Sequence, residues 1–164
     1  MNILELKGVT KRFGGLTAVS DFSFGVKHGG ITGLIGPNGA GKTTIFNLIT
    51  GVYKVTSGSI EYHGKPITNQ DPYKIAASGV TRTFQNIRLF KNLSVHDNVL
   101  TACHLSAKYG IFESILRLPR FKREERELNE KASGLLEIMG LQDRADVMAS
   151  NLPYGLQRRL EIGR

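Results

Sequence analysis

One stretch of this sequence has the residue types and spacing of a phosphate-binding loop. Its glycines let the backbone bend around an anion, so that successive N–H groups point inward. Lys42 can reach the β- and γ-phosphates of a nucleotide, and the Thr43 hydroxyl can ligate Mg²⁺, which prefers oxygen ligands. The stretch matches G-x-x-x-x-G-K-[ST] and consists of Gly36, Pro37, Asn38, Gly39, Ala40, Gly41, Lys42, Thr43 and Thr44.

The elements predicted on either side of this loop are the ones that such a loop needs. Residues 31–35 form a short apolar run that predicts a buried strand, and residues 43–50 show helical spacing, with Gly51 placed to end the helix. The helix would aim its positive end at a bound anion. A glycine-rich turn could match the motif by chance, but the order strand, loop, helix favours phosphate binding.

The remaining pattern predicts strands in the first half and helices in the second. Residues 3–13 and 19–26 read as antiparallel strands, since apolar and polar residues partly alternate along them. The other predicted elements are a strand at 58–64, a helix opened by Asp71 and Pro72, a strand at 79–85, a helix capped by Ser94, an irregular stretch at 106–123, an amphipathic helix at 124–139 and a helix from about Leu156 to the end.

The composition of the chain limits the functional classes to which it can belong. The chain has 164 residues and a net charge of +8, and no apolar run approaches the roughly 18 residues of a membrane span. Its basic residues are spread along the chain without an aromatic-interleaved basic motif, so we expect no nucleic-acid partner. The single cysteine, Cys103, lies in an apolar helical stretch and is predicted to be a buried thiol. A cytosolic location is expected.

Two further residues have more than one interpretation. Phe13 could stack on an adenine ring, but its position alone favours an ordinary core phenylalanine. Gln85 ends the predicted strand at 79–85, and a single glutamine in a loop carries little signal by itself. The sequence alone does not decide between a functional and an ordinary role for either residue.

Taken together, these stretches resemble the ATP-binding subunit of ABC transporters. Residues 36–44 look like its Walker A loop, Gln85 lies where the family has its Q-loop glutamine, and residues 152–164 look like the signature stretch and its helix. The resemblance implies ATP and Mg²⁺ as cofactors. It also implies catalytic roles for Lys42 and Gln85, Mg²⁺ ligation by Thr43 and Gln85, adenine stacking by Phe13 and nucleotide contact by Gly155.

The resemblance also implies a fold and a division of the chain. The expected fold is the α/β P-loop NTPase fold of ABC-type ATPases, with an antiparallel β subdomain and a helical signature subdomain. Residues 1–84 would be the first part of the nucleotide-binding core. Residues 85–164 would hold the Q-loop, the helical subdomain and the signature stretch.

Three stretches narrow the resemblance to the importers of branched-chain amino acids. They are residues 82–90, the long stretch 104–130 and residues 160–162. The partners implied are transmembrane permease subunits, facing residues 88–90, and a second ATP-binding subunit in a homo- or heterodimer. The implied location is cytoplasmic, peripheral on the inner face of the cell membrane.

The sequence departs from the family pattern in two places. Pro153 stands where the signature usually has a serine, in the stretch Leu152, Pro153, Tyr154, Gly155 and Leu156. No Walker B segment, four apolar residues followed by Asp-Glu, occurs in the chain. We therefore expect an N-terminal part of a longer protein with an incomplete core sheet, weak nucleotide binding and hardly any hydrolysis.

Two other functional classes remain to be weighed. A GTPase should show Asn-Lys-x-Asp and Asp-x-x-Gly, and neither motif occurs, so that class and the small-molecule kinases are disfavoured. A soluble ABC-type ATPase that acts on nucleic acid or ribosomes is the stronger alternative, although such proteins usually carry a second cassette or a long coiled-coil insertion. The preferred hypothesis is an ATPase subunit that couples ATP hydrolysis to import.

Overall fold

The computed structural model describes residues 2–107 and 109–164, apart from the side chain of Ile111, and it divides the chain into two compact units. The first unit is Met1–Arg82 and the second is Thr83–Arg164. This division lies two residues before the one expected from the sequence.

The first unit is built on an antiparallel sheet of four strands. Strands β1 (Asn2–Phe13), β2 (Leu16–Lys27), β3 (Ser57–Tyr62) and β4 (Lys65–Pro66) lie in the order β2-β1-β3-β4. The predicted strands at 3–13, 19–26 and 58–64 are thus confirmed in kind and closely in extent. Leu6 and Val9 are both buried although they are three residues apart, because the pairing with β2 shifts between them and Gly8 has a positive φ.

Two helices complete the first unit. Helix α1 (Lys42–Ile49) buries Ile45 and Leu48, and helix α2 (Pro72–Ala77) buries Ile75 in the same apolar cluster as the sheet residues. Pro72 occupies the start of α2, where its missing N–H costs nothing. Both predicted helices are confirmed.

Two predicted strands are wrong. Residues 31–35 and 79–85 form no strand, and Ile31 and Ile35 are fully exposed instead of buried. An apolar run of this kind becomes a strand only when neighbouring strands accept and donate its backbone hydrogen bonds. In the described part of the chain no strand pairs with either segment.

The second unit is helical. Its helices are α3 (Val95–Cys103), α4 (Ile111–Ile115), α5 (Pro119–Ile138) and α6 (Tyr154–Gly163), with single 3-10 turns at 104–106, 142–144 and 149–151. Residues of α3, α5 and α6 share one apolar core that includes Val99, Ala132 and Leu160. Ser94 caps α3 as predicted, because its hydroxyl accepts a 3.0 Å hydrogen bond from the Asp97 N–H.

Cys103 lies in this core. The thiol is buried as predicted, and burial raises its pKa, while the charge of Lys131 lowers the pKa in part. A buried thiol with a raised pKa is a packing residue rather than a nucleophile.

The prediction of an irregular stretch at 106–123 is wrong. It contains all of α4 and the first turn of α5, which begins at Pro119 rather than at Glu124. Pro119 was expected to break the chain, but at the first position of a helix proline is favourable, since its fixed φ suits the helix. Gly110 precedes α4, and its N–H donates to the Glu113 carboxylate at 2.7 Å.

Candidate phosphate-binding site

The loop at residues 36–41 has the backbone conformation that its glycines make accessible. Gly39 and Gly41 have φ values of 85° and 82°, in the left-handed region that residues with a Cβ rarely adopt. The Ala40 N–H donates to the Pro37 carbonyl at 3.2 Å, which closes a turn around Asn38 and Gly39. The glycines therefore allow the backbone to bend, as the motif requires.

Gly41 also permits a close backbone approach. A Cβ at this position would lie 2.6 Å from the Ala18 carbonyl oxygen and 3.3 Å from the Val19 side chain, both on β2. At Gly39 a Cβ would meet nothing within 4 Å, and at Gly36 only the Ala40 Cβ at 3.4 Å. The end of the loop thus packs directly on β2, and its tip is open.

Lys42 lies across the loop. Its ammonium donates hydrogen bonds of 2.7 Å to the carbonyls of Gly36 and Pro37. An ammonium has three N–H donors, so one remains for another acceptor. The arrangement places a positive charge beside the loop.

The two threonines follow at the start of α1. Thr43 is exposed and Thr44 is half-buried, and the described residues offer the Thr43 hydroxyl no hydrogen-bond partner. The first turn of α1 contains no acidic side chain that would repel an anion. An exposed hydroxyl beside a cationic loop at a helix start fits the donor set that a nucleotide phosphate with Mg²⁺ needs.

Phe13 lies at the end of β1, where it pairs with Leu16 across the turn. It is 41% exposed and is not part of the buried cluster, so it is not an ordinary core phenylalanine. Its ring packs edge-on against Tyr53, with the ring centres 5.1 Å apart, and the Lys11 ammonium lies 4.8 Å from the ring centre. Gly41 approaches Ala18, two residues beyond Leu16, so this end of the hairpin is the end that contacts the loop.

Tyr53 and Lys11 were not singled out from the sequence. Tyr53 holds the Phe13 ring in place, and its own N–H donates to the Asn47 carbonyl of α1 at 3.0 Å. The Lys11 ammonium is tied to the Lys54 carbonyl at 2.8 Å. Neither residue belongs to a motif, and only the tertiary structure brings them to Phe13.

Gln85 lies in the second unit. It is exposed, in a bend that begins the segment 85–90. The residues beside it are fixed to α6: Arg158 donates to the Phe84 carbonyl at 2.6 Å, and the Arg88 N–H donates to Glu161 at 3.3 Å. Arg158 and Glu161 also form an ion pair with each other.

Gly155, also in the second unit, is the second residue of α6. It is exposed, and a Cβ there would meet nothing within 4 Å. The carbonyl of Pro153 accepts hydrogen bonds from the N–H groups of Leu156 and Gln157, at 2.9 and 3.0 Å. Pro153 therefore begins the helix without a side-chain cap, and the Gly155 N–H lies in the first turn.

Asn98 is a buried polar residue that sequence reasoning missed. Its amide oxygen accepts from the Phe90 N–H at 2.9 Å, and its amide nitrogen donates to the carbonyls of Phe90 and Ser94 at 3.0 and 2.9 Å. These bonds fix the end of the segment 85–90 to α3. An asparagine four residues after Ser94 gave no signal in the sequence.

The model of the ABC transporter family matches residues 19–164, which include the loop, α1, the Gln85 segment and α6. The chain belongs to the ABC transporter family. The family predicted from the sequence is thereby confirmed. The match covers the greater part of both units.

Relatives with curated names agree with the branch that was predicted. The branched-chain amino acid transport ATP-binding proteins LivG of Salmonella typhimurium and BraF of Pseudomonas aeruginosa are each 46% identical to this chain over 162 residues. Each match covers 99% of this chain and 64% of the relative. The chain thus spans 64% of the length of these two relatives.

Solved structures of ABC cassettes share the fold. A nucleotide-free ATP-binding cassette is 34% identical with a TM-score of 0.79, and a cassette in its ADP conformation is 34% identical with a TM-score of 0.80. The match uses 99% of this chain for the first structure and 100% for the second, and in each case it covers 64% of the solved chain. The predicted fold class, an ABC-type ATPase fold, is confirmed.

The part of the chain that the structure describes contains no helix with the length and hydrophobicity of a membrane span.

Proposed function

We propose that this chain is the ATP-binding part of an ABC importer subunit and that residues 36–44 hold the triphosphate of ATP. The observation that carries the proposal is the loop itself. Two left-handed glycines shape it, one of them packs on β2 where no Cβ fits, and Lys42 spans it at the start of α1. This combination supports binding of a polyphosphate.

In this proposal the residues of the loop have separate roles. Lys42 exchanges its bonds to the carbonyls of Gly36 and Pro37 for bonds to phosphate oxygens, in which donor and acceptor are both charged. Thr43 and Gln85 supply oxygen ligands for Mg²⁺, which would neutralise phosphate charge. Phe13, held by Tyr53, presents its ring to the adenine.

The hydrolysis of ATP would drive import across the membrane. Branched-chain amino acids are the proposed substrates, since both relatives described above carry that name. The proposed partners are permease subunits, which meet residues 88–90, and a second ATP-binding subunit, which receives the Gly155 N–H at its nucleotide. Phe90 is exposed and the centre of its ring lies 5.0 Å from the Arg164 guanidinium, so an aromatic side chain is available for contact there.

The proposed location is the cytoplasmic, inner face of the cell membrane, where such a subunit meets its permease. Neither the relatives nor the described residues favour the alternative that acts on nucleic acid or ribosomes. The matched relatives are transport proteins, and the basic residues are dispersed.

The test is uptake of labelled leucine in cells whose own copy of the gene is disrupted. A plasmid copy of the wild-type gene should restore uptake, and a copy with Lys42→Ala should not. A copy with Lys65→Ala should restore uptake, because Lys65 is an exposed lysine of β4 outside the loop. Immunoblotting confirms equal amounts of each protein. Full leucine uptake with Lys42→Ala, or unchanged uptake after disruption, would rule out the proposed function.

A further inference from the structure

The junction of α4 and α5 exposes large apolar side chains. Phe112 is 81% exposed, Ile115 70% and Leu116 68%, and Leu118 follows at 40%. They lie within seven residues of chain, on a turn of helix and the link to α5. Residues 112–123 are called here the α4–α5 surface. Exposed apolar residues concentrated in this way mark an interaction site.

Basic side chains lie between and after these apolar ones. Arg117, Arg120, Lys122 and Arg123 are all exposed, against one acidic residue, Glu113, in the same segment. Arg120 forms ion pairs with Glu113 and Glu124 at 3.3 and 3.2 Å, and Arg123 approaches Glu127 at 3.8 Å. Within the described part of the chain, Arg117 and Lys122 have no acidic partner within 4 Å. The surface therefore keeps a net positive charge.

Arg117 occupies a conformation in which glycine is the usual residue. Its φ is 46°, two residues after α4 ends at Ile115, and a Cβ is disfavoured in this conformation. The Arg117 N–H donates to the Ser114 carbonyl at 3.3 Å and the Leu118 N–H to the Glu113 carbonyl at 3.1 Å, so the positive φ closes the C-terminal end of α4. The arginine thus places a cation between two exposed leucines.

We infer that the α4–α5 surface binds the surface of a bilayer that contains anionic lipid. Apolar side chains would enter the boundary between headgroups and acyl chains, and the interleaved cations would meet lipid phosphates. A bilayer fits better than a protein partner, because the segment has four exposed cations against one acidic residue, and anionic headgroups can meet all of these cations at once. The inference extends the proposed membrane location, but it involves neither the phosphate-binding loop nor a permease.

Vesicle co-sedimentation of the purified protein tests the inference. One set of vesicles is phosphatidylcholine alone, and the other contains about a quarter phosphatidylglycerol, which supplies the negative surface potential. We expect binding to the anionic vesicles that weakens with added salt, and little binding to the neutral ones. Arg117→Gly should weaken binding about fivefold, and it relieves the strained backbone, so loss of folding cannot explain the result. Phe112→Ser should weaken binding about tenfold or more.

Matched controls lie at the last residue of α5, which is 20 residues or about 30 Å long, and in the 3-10 turn that follows it. Arg144→Gln removes an exposed cation and Ile138→Ser an exposed apolar residue, and neither should change binding. Equal binding to both kinds of vesicle, or equal effects of Arg117→Gly and Arg144→Gln, would overturn the inference. So would a concentration-dependent dimer that Phe112→Ser abolishes, since a second copy would then cover the surface. ATP affinity of the same variants should stay unchanged, which separates this inference from the proposed function.

Discussion

Lys42 shows how one side chain can prepare a site for an anion. Its ammonium is bonded to two carbonyls, which satisfies most of its donors and keeps it beside the loop. A phosphate oxygen carries a negative charge that a carbonyl oxygen lacks, so its attraction to the ammonium is stronger. A phosphate can therefore displace the carbonyls from Lys42.

Phe13 is the residue at which binding of the base can be tested. Its exposed ring is held by Tyr53, so Phe13→Ala should weaken ATP binding and leave binding of free triphosphate unchanged. Phe13→Trp should bind ATP normally, since stacking needs only a flat apolar ring. Titration calorimetry with ATP and with triphosphate makes the comparison. A loss of circular dichroism signal in Phe13→Ala would instead assign the ring a structural role.

Among individual residues, the sequence predicted those that form motifs and missed those that support them. Residues 36–44 follow a spacing set by the shape of a phosphate, which a sequence displays directly. Tyr53 and Asn98 act through contacts made only after folding, with Phe13 and with Phe90. No local pattern distinguishes them from any other tyrosine or asparagine.

Among the elements, the contact of the loop with β2 gives a matched pair of variants. Gly39 and Gly41 are both left-handed, so Ala at either should cost about 1–2 kcal/mol of unfolding free energy. At Gly41 the new Cβ would also meet the Ala18 carbonyl at 2.6 Å, which should add about 1–3 kcal/mol. Urea unfolding followed by circular dichroism measures both. Equal losses for Gly39→Ala and Gly41→Ala would show that the loop does not rest on β2.

The link between α3 and the segment 85–90 predicts a second effect. Asn98→Ala removes the partner of the Phe90 N–H and one of the donors to the Phe90 carbonyl, which also accepts from the Leu93 N–H. The lost bonds should cost about 1–3 kcal/mol in total. Asn129→Ala is the control, because Asn129 is less buried and donates one bond, to the Glu125 carbonyl. The free energy of unfolding in urea should fall more for Asn98→Ala. A smaller fall than for Asn129→Ala would contradict the role given to Asn98.

The elements predicted correctly are those whose signals are local. The hairpin of β1 and β2, the helix after the loop and the cap at Ser94 depend on alternation, helical spacing and a capping side chain. The apolar runs at 31–35 and 79–85 depend on neighbouring strands, which the described residues do not supply. Pro119 was misread because proline has opposite effects inside a helix and at its first position.

For the molecule as a whole, the residues proposed to contact nucleotide or Mg²⁺ are divided between the two units. The loop and Phe13 belong to the first unit, whereas Gln85 and Gly155 belong to the second. Contacts of the triphosphate with Lys42 are therefore the part of the proposal that one unit can make by itself. That makes the affinity for ATP the quantity that bears most directly on the account.

The decisive measurement is titration calorimetry of ATP with Mg²⁺ into the wild-type chain, Lys42→Ala and Lys65→Ala. Removing the Lys42 ammonium should cost at least one charge-assisted contact, about 1.5–3 kcal/mol, and so weaken ATP binding roughly 10- to 150-fold. Lys65→Ala should bind as the wild type does, since Lys65 lies on β4 outside the loop. Equal ATP affinity in Lys42→Ala and wild type would contradict the central claim that residues 36–44 hold the triphosphate.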